Sequence, residues 1–439
     1  MINKRVCESL WAITQKSVRF KGQVAENVDQ KLDATIKILG TAYQCDKFTN
    51  VNSKIASHIG KNLHISKDHP LSLVRQKVVD YFYKAFVNSR GNPVFAVFDN
   101  LSPIVTQEQN FDSLLVPKDH PSRLKSDCYY INHDYLLRAH TTAHDSELIK
   151  SGLDNFLVIG DVYRRDEIDR THYPVFHQVD VVRLKTREQL FPADESLELF
   201  ESGNNTTNTG IQEKQACHTL EAVKLMEHEL KNTLEGLAKT LFGSDIRFRW
   251  TDSTFPFTQP SWELEVHYNN QWLELLGCGI LQQPILYRAG VLNKIGWAFG
   301  LGLERVAMCI YQIPDIRLFW SQDSGFLSQF KTSDPNAKII YKPVSQYPQC
   351  INDISFWLPD NAQEFSSNDF YDIVRSIGGD IIEQVSLVDE FFHPKTKKTS
   401  HCYRIVYRHM ERTLTQAEVN QVHKKIAMQA TKSLGVTVR

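Results

Sequence analysis

The sequence has no excess charge of either sign: 50 Lys and Arg stand against 51 Asp and Glu, a net charge of −1 over 439 residues. Such a chain is no polycation, so any nucleic-acid footprint must be local. It has no apolar run of the ~18 residues that a membrane span requires. Its best uncharged stretch, Leu275 to Tyr287, is short and holds glycines and glutamines, so no membrane partner is expected. The eight cysteines are scattered without a CxxC pair, which argues against a zinc ribbon and against the disulfide scaffold of small secreted chains. No structural metal is expected, and the thiols suit a reducing compartment. Twenty glycines and sixteen prolines are an ordinary number and exclude a collagen-like or linker-dominated chain. What remains is 42% apolar and 23% charged, the mix of a globular protein. At roughly 150 residues per domain the length suggests two or three domains.

From Met1 to Val24, five basic residues (Lys4, Arg5, Lys16, Arg19, Lys21) face the single acid Glu8, and Ser and Thr interleave with Leu10, Trp11, Ile13 and Val18. There is no continuous apolar core, so residues 1–24 read as an organelle transit peptide rather than a secretory signal. Glu201 to Lys214 is Asn-, Thr- and Gly-rich and reads as a loop within a larger domain spanning 25–331. Residues 332–347 read as a connection to a last domain, 348–439.

That last domain runs strand, helix, strand, strand, helix, strand, the order of a ferredoxin-like fold. Cys350–Leu358 is strand-like, Asp369–Ile377 places Phe370, Ile373, Val374 and Ile377 at helical spacing, and Gly378-Gly379 stops it. Ile381–Phe392 and Ser400–Met410 alternate as strands, and Thr415 with Glu418 forms a capping box that opens a helix ended by Gly435. Charge is segregated: Pro343–Glu390 holds one basic and nine acidic residues, Phe391–Arg439 ten basic and two acidic. Period-2 alternation puts Cys402, Arg404, Val406, Arg408 and Met410 on one face. A sheet covered on one side leaves an open side where cations and aromatics suit single-stranded RNA.

Three segments between residues 60 and 330 carry chemistry. Asp68-His69-Pro70-Leu71 opens a long helix with Pro70 in its first turn and Leu73, Val74, Val78, Tyr81, Phe82 and Ala85 as its apolar face. Phe156–Gly160 leads through Arg164, Arg165 and Asp166 into a returning strand on which Phe176, Gln178 and Asp180 share a face. Arginine at the strand exit suits an α-phosphate, because its fork of donors grips two oxygens. Phe176 offers a flat surface to a purine. Gly296 to Ile313 reads as strand, glycine-tight turn and helix; the third glycine of GxGxxG is missing, so a dinucleotide fold is not supported.

Together these segments resemble motifs 1, 2 and 3 of class II aminoacyl-tRNA synthetases. The wording YRRDEIDRTHYPVFHQVD, FPFTQPSWELEV, WLELLGCG and GWAFGLGLERVAMCIYQIPDIRLFW resembles the phenylalanyl-tRNA synthetase family, and the last domain resembles the anticodon-binding domain of its single-chain mitochondrial form. The fold implied is α+β: an antiparallel-sheet class II catalytic domain followed by a ferredoxin-like (βαββαβ) anticodon-binding domain.

The resemblance implies that phenylalanine reacts with ATP to give phenylalanyl-adenylate and is then passed to the terminal ribose of tRNA(Phe). By family position Arg164 would hold the α-phosphate, and Arg305 the γ-phosphate while stacking on adenine. Phe176 would cover the other adenine face and Asp166 would receive the adenine amine. Thr171, His172 and Tyr173 would meet the phosphates or the acceptor end, and Glu274 would help hold ATP and Mg2+. Phenylalanine would lie against His140, Thr142, Ala143, His144 and Asp145, with Gln178, Val179 and Asp180 at its ammonium and carboxylate. Phe255 and Phe257 would put their rings edge-on to the substrate ring, with Ala298 and Phe299 completing the pocket. Asp166 and Asp180 stand where the family would have glutamate, which leaves direct and water-bridged contacts both open. His140 and His144 have the i,i+4 spacing of a zinc pair, but Thr141 stands where HExxH needs glutamate, so no metal ligand set is expected.

The candidate tRNA surface is Lys395, Lys397 and Lys398 with Arg404, Arg408 and Arg412. No length is spare for a hydrolytic domain, so mischarged tyrosine is not expected to be removed in cis, although an apolar pocket rejects an added hydroxyl by only ~100-fold. The family's bacterial and cytosolic members have two kinds of subunit; one fused chain with a transit-like start implies a monomer of the mitochondrial matrix. Two rivals are a ligase that forms an amide from an aminoacyl-adenylate without tRNA, and a non-catalytic RNA-binding paralogue. The basic C-terminal sheet disfavours the first; the presence of Arg164, Arg305, Glu274, Gln178, Phe255 and Phe257 disfavours the second.

Overall fold

Seven strands build the central sheet: β1 (Ala96–Phe98), β2 (Asn155–Tyr163), β3 (Val175–Thr186), β4 (Phe248–Phe255), β5 (Thr258–Tyr268), β6 (Gln271–Leu281) and β7 (Lys294–Gly302). The computed structural model describes residues 35–201, 214–322, 324–343, 347–359, 365–394 and 396–439; the transit-like residues 1–24, most of the Asn/Thr/Gly-rich stretch and Lys395 lie outside them. The strands lie in the order β1-β2-β3-β7-β6-β5-β4. Only β1 and β2 pair in parallel; the other five pairings are antiparallel. The sequence reading of an antiparallel-sheet catalytic domain therefore holds.

Helices α1 (Pro70–Ala85), α2 (Leu220–Phe242) and α3 (Leu303–Tyr311) cover one face. Pro70 starts α1 at a position whose N–H would have no helical partner, and the His69 ring accepts from the Leu71 amide. Its buried face includes Leu73, Val74, Val78, Val79 and Phe82, while Ala85, expected to be buried, is exposed. Phe82 stacks on Phe299 of β7 at 5.9 Å, and the Trp297 indole donates to Glu229 of α2 over 3.1 Å. On the opposite face the short helices Asp145–Lys150 and Gln283–Arg288 cover Phe156, Val158, Val182 and Ala298. β2 is buried on both sides, which is why it reads as an almost unbroken apolar run.

β7 corrects one expectation. It runs straight into α3 without a glycine-tight turn, and Gly296, Gly300 and Gly302 all lie within the strand. A Cβ on Gly296 would strike Leu184 and the Arg183 carbonyl, whereas one on Gly300 or Gly302 would meet nothing within 4 Å. These last two glycines keep the sheet surface bare.

The last domain has β8 (Cys350–Trp357), α4 (Ser367–Gly378), β9 (Ile382–His393), β10 (Lys398–Tyr407), α5 (Gln416–Leu434) and β11 (Thr437–Val438). Its sheet order, β9-β10-β8-β11, with every pairing antiparallel, is the ferredoxin-like arrangement expected. The capping box at Thr415 and Glu418 is formed, and Gly435 closes α5 in the left-handed region. β10 stops at Tyr407, short of the expected Met410, so Arg408 lies past its end. The connection is no free linker either: Ile339 and Tyr341 pack against the catalytic core, and the Tyr341 amide bonds to the Tyr311 carbonyl at 2.8 Å.

The two domains grip each other. Ile168, in the loop between β2 and β3, is buried among the residues of the C-terminal core, and its carbonyl accepts from the Val385 amide at 2.9 Å. Arg165 reaches Asp369 at 2.9 Å, Tyr129 donates to Asp372 at 3.0 Å, and Arg375 donates to the carbonyls of Asp166 and Glu167.

One glycine in β2 is required by close approach. A Cβ on Gly160 would lie 2.1 Å from a terminal nitrogen of the fully buried Arg138. Gly160→Ala is expected to cost about 1–3 kcal/mol of stability as an overpacked core. Urea unfolding checks it, with Gly300→Ala, which meets open space, as the comparison.

Candidate active site

The second face of the sheet opens into a cavity of about 600 Å³. β3 contributes Gln178 and Asp180, β4 and its turn Phe255, Pro256 and Phe257, β6 Glu274 and Gly277, and β7 Ala298 and Gly300. The loops add His140, Thr142, Arg164 and Asp166. Most of these are residues expected at one site, Gln178 and Asp180 through alternation along β3 and the others through the family resemblance, and the cavity brings them together.

One end of the cavity is cationic. The backbone of Arg164 extends the hairpin through a bond to the Pro174 carbonyl, and its Nε donates to the Ala139 carbonyl at 2.7 Å. The guanidinium lies 5.2 Å from the Phe176 ring, and its terminal nitrogens bond to no described residue. Burial lowers its pKa, while the charges of Asp166 and Glu274 act against that shift. Arg305, in the first turn of α3, donates to the Glu274 carbonyl at 2.8 Å and lies 3.7 Å from its carboxylate. Both side chains are about half exposed, at 45% and 54%, so both are free to reach a ligand at the cavity mouth.

The other end is apolar with an acidic floor. Phe255 and Phe257 lie parallel, 5.9 Å apart at 9°. Gly277 makes room for the first of them, since a Cβ there would come within 2.7 Å of the Phe255 ring. Asp180 is buried, accepts from the Thr142 hydroxyl, and burial pushes its pKa up to about 7. Asp145 is fully buried beside it and neither of its oxygens has a donor; burial and the Asp180 charge raise its pKa well above the carboxylate range.

Several expected residues are elsewhere. Val179 points to the helix-covered face, since it alternates with cavity residues, and belongs to the main core; Phe299 belongs to that core too, stacked on Phe82, and at the same time lines the cavity. Ala143 is packed in a small apolar cluster with Phe111 and Tyr130. His144 accepts from the Arg138 guanidinium at 2.9 Å, which occupies the lone pair a zinc ion would need. Burial lowers His140 and His144 to a pKa of about 3, so both stay neutral. Tyr173 is buried at the domain boundary, bonded to His58 at 3.3 Å and Asp380 at 3.1 Å, and does not reach the cavity. Thr171 and His172 are both held by Asp169, and that hydrogen bond raises the His172 pKa.

Two side chains were missed. Arg138 donates twice to Asp161, at 2.7 Å to both its carbonyl and its carboxylate. Glu304 grips His177 of β3 through both its amide, at 2.8 Å, and its ring, at 2.6 Å. Buried charge within an apolar stretch is the available signal: Asp161 interrupts FLVIG-VY, and Glu304 interrupts the apolar run into α3, next to Arg305 at the position of the missing third glycine.

Residues 50–199 and 217–330 match the tRNA synthetase class II core domain (F), and 345–439 match the ferredoxin-fold anticodon binding domain. The probable mitochondrial phenylalanine–tRNA ligase of Drosophila melanogaster is 60% identical, with 92% of each chain covered. The chain belongs to the phenylalanine–tRNA ligase family. The mitochondrial phenylalanine–tRNA ligase of Mus musculus is 52% identical over 92% of this chain and 89% of its own. That of Saccharomyces cerevisiae is 38% identical over 92% and 95%.

Within this family member the candidate tRNA arginines are already paired. Arg404 lies on Asp353 through two bonds of 2.9 Å, and Arg412 is 3.0 Å from Glu418. Arg408 is 3.1 Å from the buried Glu383, an ion pair without hydrogen-bond alignment. Lys397 and Lys398 are exposed on the β9–β10 turn. The open sheet face offers something further. Trp357, Ser400 and Phe391 form one row across β8, β10 and β9. Arg439 lies 5.0 Å over the Trp357 ring, and Phe391 and His393 flank it at 6.5 and 6.0 Å.

The bare surface at Gly300 yields a direct expectation. Gly300→Ala places a methyl group in the cavity without touching the fold, so KM for ATP should rise several-fold while the melting temperature stays within a few degrees. Steady-state pyrophosphate exchange with a parallel thermal melt measures both.

Proposed function

We propose that this protein is a phenylalanine–tRNA ligase that works in two steps at the cavity: it activates phenylalanine with ATP and then transfers it to the 3′-terminal ribose of tRNA(Phe). The observation that carries the reading is one cavity with Arg164, its guanidinium unpaired at the tip, at one end and Phe255, Phe257 and Asp180 at the other.

A phenylalanine with its ring between Phe255, Phe257 and Ala298 presents its ammonium to Gln178 and Asp180 and its carboxylate to the cationic end. A carboxylate oxygen attacks the α-phosphorus of ATP and the bond to pyrophosphate breaks. The attacking group is already ionised, so the site needs alignment and charge stabilisation rather than a general base. Arg164 serves the α-phosphate. Arg305 lies over the nucleotide above the bare Gly300 and Gly302, with Phe176 on the other side of the adenine. Asp166 meets the adenine amine at the lip of the cavity. His172, its charge favoured by Asp169, serves the phosphates.

Magnesium prefers one or two carboxylates plus substrate phosphates and keeps several waters. Glu274, half exposed at the mouth, fits that need, and no group of three or more metal-type ligands occurs among the described residues. When bound, the ion would supply positive charge to the departing pyrophosphate. The mitochondrial names of the relatives and the basic N-terminal residues support a mitochondrial, matrix-located enzyme. A single chain carrying both domains supports a monomer.

Pyrophosphate exchange into ATP, driven by phenylalanine and more weakly by tyrosine, is the expected activity; exchange with none of the twenty amino acids sinks the reading. Arg164→Ala should lower the exchange rate by about 100- to 1000-fold, the usual loss of one donor aimed at transition-state charge.

For tRNA, the Trp357 row with Lys397, Lys398 and Arg439 suits unpaired bases. Base stacking on an aromatic ring contributes about 1–3 kcal/mol, so Trp357→Ala should weaken tRNA binding about 5- to 100-fold and leave exchange intact. Arg404→Glu would also set a carboxylate against Asp353, so tRNA affinity is read beside a melt for that variant; equal loss of both activities in Trp357→Ala contradicts the assignment.

A further inference from the structure

The acidic floor has more carboxylate than one ammonium requires. Asp145 begins the short helix after the His140–His144 turn, and Asp180 projects from β3 into the cavity. Both are almost completely buried, at 1% and 4% exposure. Thr142 donates to Asp180, whereas neither oxygen of Asp145 has a donor. The cations nearby bond to neither carboxylate: Arg138 bonds to Asp161 and His144, Arg288 to the Asp112 carbonyl, and Arg164 through its Nε alone to the Ala139 carbonyl. Glu147, on the same short helix, accepts from Gln109 outside the cavity. His140 and His144 remain neutral. Two ionised carboxylates cannot share such a site, because burial and mutual repulsion both disfavour the second charge.

We propose that Asp145 is a positioning residue that shares a proton with Asp180 in the empty site, and that the α-ammonium of phenylalanine takes the place of that proton on binding. The inference rests on the phenylalanine-ligase reading. The balance is simple: the ammonium arrives with its own proton and positive charge, the pair loses one proton to solvent through the cavity, and no covalent bond changes. The raised pKa of both carboxylates agrees with this arrangement, and the two titrate as one unit.

Proton release on binding means that affinity rises with pH wherever the empty pair is protonated, by up to about tenfold per pH unit. The sign follows from the raised folded-state pKa: below it the proton must be expelled, above it the site is already charged. Asp145→Asn removes one of the two acids and supplies an amide donor to Asp180, so the proton release should fall.

The test is calorimetric titration of the full chain with phenylalanine, near neutral pH, in two buffers of different ionisation enthalpy. The expected result is release of about half to one proton per phenylalanine bound by the wild type, and clearly less by Asp145→Asn. Binding without buffer dependence in the wild type overturns the inference, as does equal release by the variant. Absence of phenylalanine binding would instead count against the function itself. Should the variant fail to fold, KM for phenylalanine in the wild type must still fall with rising pH near neutrality while KM for ATP does not follow it. A flat phenylalanine profile overturns the inference.

Discussion

The pairing of Arg138 with Asp161, buried between the sheet and the turn that closes the cavity, is the constraint on which the site depends. Taking two charges out of water is costly and is recovered only where geometry is good and remaining polar atoms are satisfied. Here Arg138 also reaches His144, and Asp161 also accepts from Tyr163. The coulombic effect of Arg138 holds the Asp161 pKa below its ordinary value against the opposing effect of burial. Because Arg138 leaves a strand and threads past Gly160, the turn from His140 to Asp145 can lie in only one place. That place puts Thr142 on Asp180 and Asp145 behind it.

A second buried contact does for the nucleotide end what this pair does for the amino-acid end. Glu304 opens α3 and accepts from the main chain and ring of His177, so β3 and α3 cannot slide relative to each other. Arg305, the next residue, then emerges over the cavity beside Glu274. Arg164 and Arg305 come from elements that are distant in sequence, yet their separation is set by two residues that touch no substrate. The loop that carries Asp166 and His172 is held differently. Its Ile168 belongs to the C-terminal core and its carbonyls accept from Arg375, so this part of the active site takes its shape from both domains.

How legible this was from the sequence followed the range of the interactions. Period-2 alternation is local, and it groups Phe176, Gln178 and Asp180 on one face; the same rule, applied strictly, places Val179 on the other. Caps are local too, which is why Pro70, Thr415 with Glu418, and Gly435 were placed correctly. Glycine has two uses, and the wrong one was chosen for Gly300 and Gly302: they clear a surface rather than turn the chain. Tyr173 and Arg408 differ from expectation because their partners, Asp380 and Glu383, come from the other domain and from the start of β9. Charge counting found a basic C-terminal half but could not show that Arg404, Arg408 and Arg412 each already faced a carboxylate. The aromatic row at Trp357 depends on register across three strands, which no single strand reveals.

The layout of charge along the cavity also explains how one cleft can hold two substrates of opposite demand. Phenylalanine is a zwitterion and ATP a polyanion. Asp180, with the buried Asp145 near it, lies at one end, Arg164 at the other with Arg305 beside Glu274, and the space between them is bounded by Gln178, Ala298 and Gly300. On the proposed reading, an amino acid bound by its ammonium would point its carboxylate away from the acidic floor and toward the arginines that would hold the α-phosphate. Reversing it would set the carboxylate against buried Asp180, a repulsion that low dielectric makes severe. The apolar ring contacts give affinity without preferring a direction for the attack. Orientation comes from the field, and the field is held in place by side chains fixed before either substrate arrives.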